Sequence, residues 1–285
     1  MPHLQGLNLT YQIRNLGAED LAGALELSTV AGWNQTAEDW RLLLDLAPQG
    51  CFCIKEDNKI AATATMLCYE ETLAWIGMVL TDPNYRHRGF ASAVLKHALE
   101  RAKALKIRTI KLDATEQGEA LYKHFGFARE QAIERWCRGP LDRQKRTASN
   151  SEPPANCLRG NFQDDIDRDA FGANRSNLLA ALFRRGACFS NSDGYVFTRS
   201  GRNTTQLGPC VAAQKNEASK LLKSAMETFD APEWSWDLLP QNLEAVSLAT
   251  EYGFLPNRRL VRMWRGEELR PNEQLMYATA GFEFG

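Results

Sequence analysis

The chain has 285 residues, 44% of them hydrophobic and 24% charged, with 34 basic against 35 acidic side chains. That length suits two domains, each large enough to bury a core without staples, and the composition excludes a largely disordered or fibrous chain. A net charge of −1 argues against a dedicated nucleic-acid binder, which needs clustered positive charge to meet phosphates.

No run of 18 apolar residues occurs, so no membrane span is expected. The N-terminal stretch lacks the basic start and apolar core of a signal peptide, which predicts a cytoplasmic protein. Cysteines stand at 51, 53, 68, 137, 157, 188 and 210, scattered and without a Cys-x-x-Cys pair. None of His3, His87, His97 and His124 falls near paired cysteines, so reduced thiols and no metal are expected.

Strand and helix signals alternate from about residue 10. Tyr11–Arg14 starts a strand, and residues 18–30 have helical spacing with Leu21, Leu25 and Leu27 near one face. Thr36-x-x-Asp39 opens a second helix as a variant capping box. Two hairpins follow, turning at 56–58 and at Glu70–Glu71. A turn then leads into a long helix whose Ala91, Val94, Leu95, Ala98, Leu99 and Ala102 form a stripe of period 3.6. Arg108–Ala114 reads as a strand, residues 116–126 as a helix closed by Gly126, and residues 127–137 as a last strand. The order β-α-α-β-β-β-α-β-α-β predicts an α/β domain with a mixed sheet.

Residues 140–160, rich in Pro, Ser, Asn and charge, read as a linker between domains at 1–139 and 161–285. Beyond it, helices are expected near 165–171 and 176–185, and strands near 195–199 and 204–207. Trp234 and Trp236 alternate along a further strand, with one face for packing and another for an inter-domain cleft.

Shifting the sequence by 127 residues aligns the halves. Six of eleven positions match between 91–101 and 218–228, where unrelated sequence would match at well under about one in ten. The same shift superposes Gly126 on Gly253, Phe127 on Phe254, Arg135 on Arg262 and Arg138 on Arg265. Similar helix composition explains the first block but not the second, so the chain reads as two copies of one fold. Arg86-His87-Arg88-Gly89 becomes Ala213-Gln214-Lys215-Asn216, and Tyr122 becomes Ala249. The copies are therefore chemically unequal.

Thr81–Ser92 joins an apolar strand to a helix. A helix start offers free N–H groups and partial positive charge, and glycine admits a ligand to the backbone. Such a loop suits a phosphate-bearing ligand; a solvated basic turn is the plain alternative. There is no P-loop and no Gly-x-Gly-x-x-Gly.

The run Thr81-Asp82-Pro83-Asn84-Tyr85-Arg86-His87-Arg88-Gly89-Phe90-Ala91 resembles the acyl-CoA motif of the GNAT superfamily of N-acyltransferases, Val-x-Pro-x-x-Arg-x-x-Gly-x-Gly/Ala. Leu112–Phe127 is similar to the family's next strand and helix, which end in Leu-Tyr-x-x-x-Gly-Phe. The match covers about residues 10–137. The second half resembles a degenerate repeat, and Ala31–Trp40 and the tail Tyr277–Gly285 resemble bacterial tandem members.

The resemblance implies acetyl-CoA as cosubstrate. Val79, Leu80 and Thr81 would pair with its pantetheine arm. The pyrophosphate would sit on the amides of His87, Arg88, Gly89, Phe90, Ala91 and Ser92, with Arg86 and Arg88 nearby. Tyr122 would lie close to the thioester sulfur and protonate the leaving thiolate, and Trp33 and Asn34 would border the acceptor. The expected reaction is acetyl transfer to a primary amine of a small molecule, by a monomer or homodimer. A non-catalytic acyl-CoA sensor is the runner-up. A general base is not legible: Glu70, Glu71, Asp113 and Glu116 are weighed and none is chosen.

Overall fold

The computed structural model describes residues 11–139, 164–229 and 231–285. The expected linker at 140–160, Cys157 and His3 lie outside the described residues.

The first copy runs β1 (Ile13–Asn15), α1 (Leu21–Val30), α2 (Ala37–Leu46), β2 (Cys51–Glu56), β3 (Lys59–Tyr69), β4 (Leu73–Thr81), α3 (Phe90–Ala104), β5 (Thr109–Ala114), α4 (Glu116–His124) and β6 (Ala128–Arg138). Thr36 caps α2 with a reciprocal box to Asp39, whose carboxylate accepts from the Thr36 N–H at 2.7 Å. Asp57 and Asn58 take positive φ in the first hairpin, and Glu70 does so in the second. Gly126, at φ +81°, ends α4 in the left-handed conformation that glycine adopts without strain.

The second copy runs α5 (Asp164–Phe171), α6 (Ser176–Arg185), β7 (Ala187–Asn191), β8 (Gly194–Ser200), β9 (Thr205–Ala212), α7 (Lys215–Thr228), β10 (Trp234–Leu238), α8 (Leu243–Glu251), β11 (Leu255–Gly266) and β12 (Met276–Ala278). A shift of 127 carries the limits of α4 onto those of α8, and β6 onto β11. The duplication is therefore structural as well as sequential.

The two copies share one sheet in the order β1-β2-β3-β4-β5-β11-β6-β10-β9-β8-β7, with β12 added on β9. At its centre the copies exchange strands. β11 of the second copy lies between β5 and β6 of the first, and β6 lies between β11 and β10 of the second. The repeated arginines fasten this exchange. Arg262 on β11 holds Asp113 on β5, and Arg135 on β6 holds Asp237 on β10, each through two hydrogen bonds. One core cluster draws on both halves, including Trp40, Leu42 and Trp75 with Leu178, Phe197 and Phe284.

The halves differ in their clefts. In each, two parallel strands pair for only three residues: Leu73–Trp75 with Thr109–Lys111, and Thr205–Leu207 with Trp234–Trp236. In the second copy β12 takes up the edge of β9 beyond that pairing, at Cys210 and Val211. Its chain is fixed there by the Trp236 indole donating to the Tyr277 carbonyl at 2.7 Å and by the Thr279 N–H donating to the Asp237 carbonyl at 2.8 Å. Trp234 and Trp236 therefore both pack in the second core. The opposite face, with Ser235 and Asp237, meets Gln206 and Arg135 instead of an open cleft.

Candidate active site

Beyond Trp75 the first-copy pair β4–β5 has no further ladder. The cause is local: Met78 takes φ +49° within β4, opposite a register break at Thr63–Thr65, and the Thr63 hydroxyl holds the Met78 carbonyl at 2.8 Å. A bulge of this kind turns the strand and frees ladder groups.

A cavity of about 440 Å³ opens at this point. One half is walled by Met78, Val79 and Thr81, by Arg86, His87, Gly89, Phe90, Ala91 and Ser92, and by Leu121 and Tyr122. Gly89 is the N-cap of α3 at φ +79°, and beyond its chain neighbours no atom stands within 4 Å of where a Cβ would be. The free N–H groups of the first turn of α3 belong to this half. The Thr81 hydroxyl is buried without a partner.

Tyr122 is buried, and its ring meets Phe127 edge-on at 6.0 Å. Burial drives its hydroxyl pKa upward, so the phenol keeps its proton at neutral pH. Its hydroxyl makes no hydrogen bond to the described residues.

Not every residue singled out in the sequence lines the cavity. Leu80 packs into the core of the opposite face. Arg88 turns away from the cavity lining and lies over the rings of Tyr85 and Phe90, at 5.4 and 4.9 Å. Asn34 is also elsewhere: its carbonyl oxygen accepts from the N–H groups of Asn203 and Thr204, and its amide donates to the Thr204 carbonyl. That amide is spent on tying the 33–35 loop to the second copy. Trp33 and the neighbouring Gln35 do line the cavity, and the buried Gln35 Oε1 has no partner.

The other half of the cavity comes largely from strands β5, β6 and β11 and from the tail: Asp113, Arg135, Arg258, Leu260, Phe282 and Glu283. The tail reaches it by crossing β4. The Tyr69 hydroxyl donates to the Phe284 carbonyl at 2.6 Å and the Trp75 indole to the Phe282 carbonyl at 2.9 Å. Glu283 lies backbone-on against Gly77, where an added Cβ would stand only 3.0 Å from the Glu283 Cα.

Both cavity carboxyls are pushed to higher pKa, by burial first, with arginine opposing. Asp113 gives both oxygens to Arg262, at 2.9 and 3.1 Å. Glu283 gives one oxygen to Arg199 at 2.8 Å and keeps the other buried and unpartnered. The second-copy residues are far from the motif in sequence; the repeated Arg135/Arg262 and the resemblance carried by the tail are the sequence signals that point toward them.

Among the described residues no group of three or more His, Cys, Asp or Glu side chains could hold a metal. No helix of the described residues is long and apolar enough to cross a membrane. The thiols of Cys51 and Cys53 are pushed up to about 12 and about 11 by burial, which makes them poor nucleophiles.

Comparison with known proteins agrees with this architecture. Residues 19–127 match the Acetyltransferase (GNAT) family and residues 164–278 match an Acetyltransferase (GNAT) domain. Holothin acyltransferase of Pseudoalteromonas sp. (strain SANK 73390) is 22% identical over 270 residues, covering 89% of this chain and 87% of that protein. A crystal structure of a candidate acetyltransferase from Pyrococcus horikoshii has a TM-score of 0.82 at 23% identity, covering 100% of this chain and 99% of the other. A tandem GNAT protein from the clavulanic acid biosynthesis pathway has a TM-score of 0.60 at 14% identity, covering 90% and 98%.

Proposed function

The chain belongs to the GNAT acetyltransferase family as a tandem of two such domains and is an acyltransferase; from that premise we propose that it moves an acetyl group from acetyl-CoA to a primary amine of a small acceptor. One observation carries this reading. The unladdered edge of β4, the first turn of α3 and Tyr122 all open on a single cavity of the first copy.

The residues present fit an acyl-CoA. Val79 and Thr81 offer strand-edge groups, and the buried Thr81 hydroxyl still lacks a partner. The amides from His87 to Ser92, with Arg86, suit a pyrophosphate. Leu80 contributes only through its backbone, and Arg88 buttresses the loop by stacking on Tyr85 and Phe90. Trp33 borders the acceptor, while Asn34 positions that border.

Bound acetyl-CoA would supply the thioester. The strand bulge at Met78 would present an amide to the charge that develops on the carbonyl oxygen. Tyr122 would hand its proton to the departing sulfur as the new C–N bond forms and the C–S bond breaks. An amine must also lose a proton to attack. Glu283, with a free carboxylate oxygen and a raised pKa, is the residue we assign to take it, directly or through water. Holding both reactants in one cavity accounts for much of the remaining rate.

The test is calorimetric titration with acetyl-CoA followed by thiol release over a panel of amines. Saturable binding and amine-dependent release are expected, with binding lost in Arg86→Glu. Glu283→Gln should lower kcat and remove the acidic limb of its pH profile. Absence of saturable binding, or affinity that survives Arg86→Glu, would refute the assignment.

A further inference from the structure

The acceptor half of the cavity carries a positive charge, Arg258, that forms no ion pair with any carboxylate among the described residues. Strands β11 and β6 set Arg258 directly opposite Arg135, an arrangement in which like charges repel. Arg135 is balanced, because its Nε and Nη2 donate to the two oxygens of Asp237 at 2.7 and 2.6 Å. Arg175, Arg199 and Arg262 also each meet a carboxylate. Arg258 meets none among the described residues. Its guanidinium lies 5.9 Å from the centre of the Trp33 ring and makes no ion pair or hydrogen bond there.

Arg258 is half-buried, and burial together with the charge of Arg135 presses its pKa down, only partly offset by the more distant Asp237 carboxylate. A half-buried cation kept in that setting without an ion pair of its own is poised for an anion. The phosphate-binding features lie in the other half, with Arg86 and the first turn of α3. Arg258 stands instead with Trp33, Leu260 and Phe282, which offer apolar surface, and with Gln35, whose buried carbonyl oxygen waits for an N–H donor.

We propose that the acceptor amine also bears a carboxylate, which Arg258 holds while the body of the molecule packs against Trp33, Leu260 and Phe282. The acceptor is then an amino acid or a similar small amino-carboxylate, matching a cavity of about 440 Å³ that must also admit the acyl arm. This inference rests on the acetyl-transfer reading and adds the substrate class to it. It also gives the second copy a task, since Arg258, Leu260 and Phe282 all come from it.

The experiment compares amino acids with their methyl esters by thiol release. The free acids should be preferred in kcat/KM by roughly ten- to hundredfold, the range of a charge-assisted pair. Arg258→Gln should bring that ratio close to one without weakening acetyl-CoA binding. Esters used as well as acids, a ratio that survives the substitution, or weakened acetyl-CoA affinity would each overturn the proposal. Calorimetry with CoA present reads acceptor binding apart from turnover. Acids that bind through Arg258 without thiol release would leave this assignment standing and refute acetyl transfer. Acids that do not bind the wild-type protein would refute the assignment outright.

Discussion

Replacing Arg262 with methionine strands a buried carboxylate at the seam between the two copies. The Arg262 and Asp113 side chains are 3% and 0% exposed, and two hydrogen bonds at 2.9 and 3.1 Å join them. Removing one partner of such a pair costs about 3–5 kcal/mol, because the other charge stays buried and uncompensated. Arg262 also lies 4.7 Å from the Trp75 ring centre. Losing that cation–π contact removes up to about 2 kcal/mol, of which a methionine sulfur restores about 0.3–1.5 kcal/mol. The expected loss is therefore about 3–6 kcal/mol, read by urea denaturation at pH 7. The double variant Asp113→Leu/Arg262→Met leaves no orphan charge and should recover most of it, a coupling of about 3 kcal/mol. The pH dependence follows from sign. The Asp113 pKa is already raised by burial and rises further without Arg262. A raised carboxyl costs stability only above its unfolded pKa of about 3.9. The deficit of Arg262→Met should then be smallest below pH 4 and grow toward neutrality, by at most about 1.4 kcal/mol per pH unit. A single-variant cost under about 1 kcal/mol, or a double variant as unstable as the sum of the singles, would refute this account of the seam.

Three further outcomes are expected. Tyr122→Phe should lower kcat about a hundredfold or more while acetyl-CoA affinity stays nearly unchanged; an unchanged kcat in a thiol-release assay excludes the phenol as proton donor. Gly89→Val forces a β-branched residue into φ +79°, at a local cost of at least about 1–2 kcal/mol, and should abolish acetyl-CoA binding as read by calorimetry. Asp20 is fully buried, and hydrogen bonds from Arg14, Lys55 and the Gly17 N–H hold its pKa at about 2 against desolvation. Its depressed pKa stabilises the fold above about pH 4, and that gain fades as pH falls toward 2. Asp20→Asn should cost about 2 kcal/mol at pH 7 and little near pH 2, which a denaturation series across that range would register.

Much of the first copy is legible in its sequence. Alternation, turn residues and the Thr36 box fixed its elements, because these are local signals. The duplication was legible through Gly126/Gly253 and Arg135/Arg262, yet their meaning was not. Hydrophobic pattern marks a strand without naming its neighbours, so nothing local said that β6 and β11 would trade places. The half of the cavity beyond the motif is illegible for the same reason. Arg258 and Glu283 lie more than a hundred residues beyond Tyr122 and enter the cavity only through that exchange and the returning tail. Within Trp33-Asn34-Gln35, the chain turns one amide toward the second copy and the next toward the cavity, a choice set by a loop 170 residues away. The strand at Ala187–Asn191 is short and carries no clear alternation, so its sequence does not mark it as a strand.

Two identical subunits about a twofold axis must carry two identical clefts, so any strand that plugged one would plug both. Two copies joined in one chain are released from that rule. Here the segment at Met276–Ala278 occupies the second cleft, and the residues after it go on to wall the first. Symmetry has been given up for division of labour: one repeat keeps the cleft, and its twin lends strands, charges and a returning tail. Evolution can then retune the lender's residues without disturbing the cleft that its twin keeps.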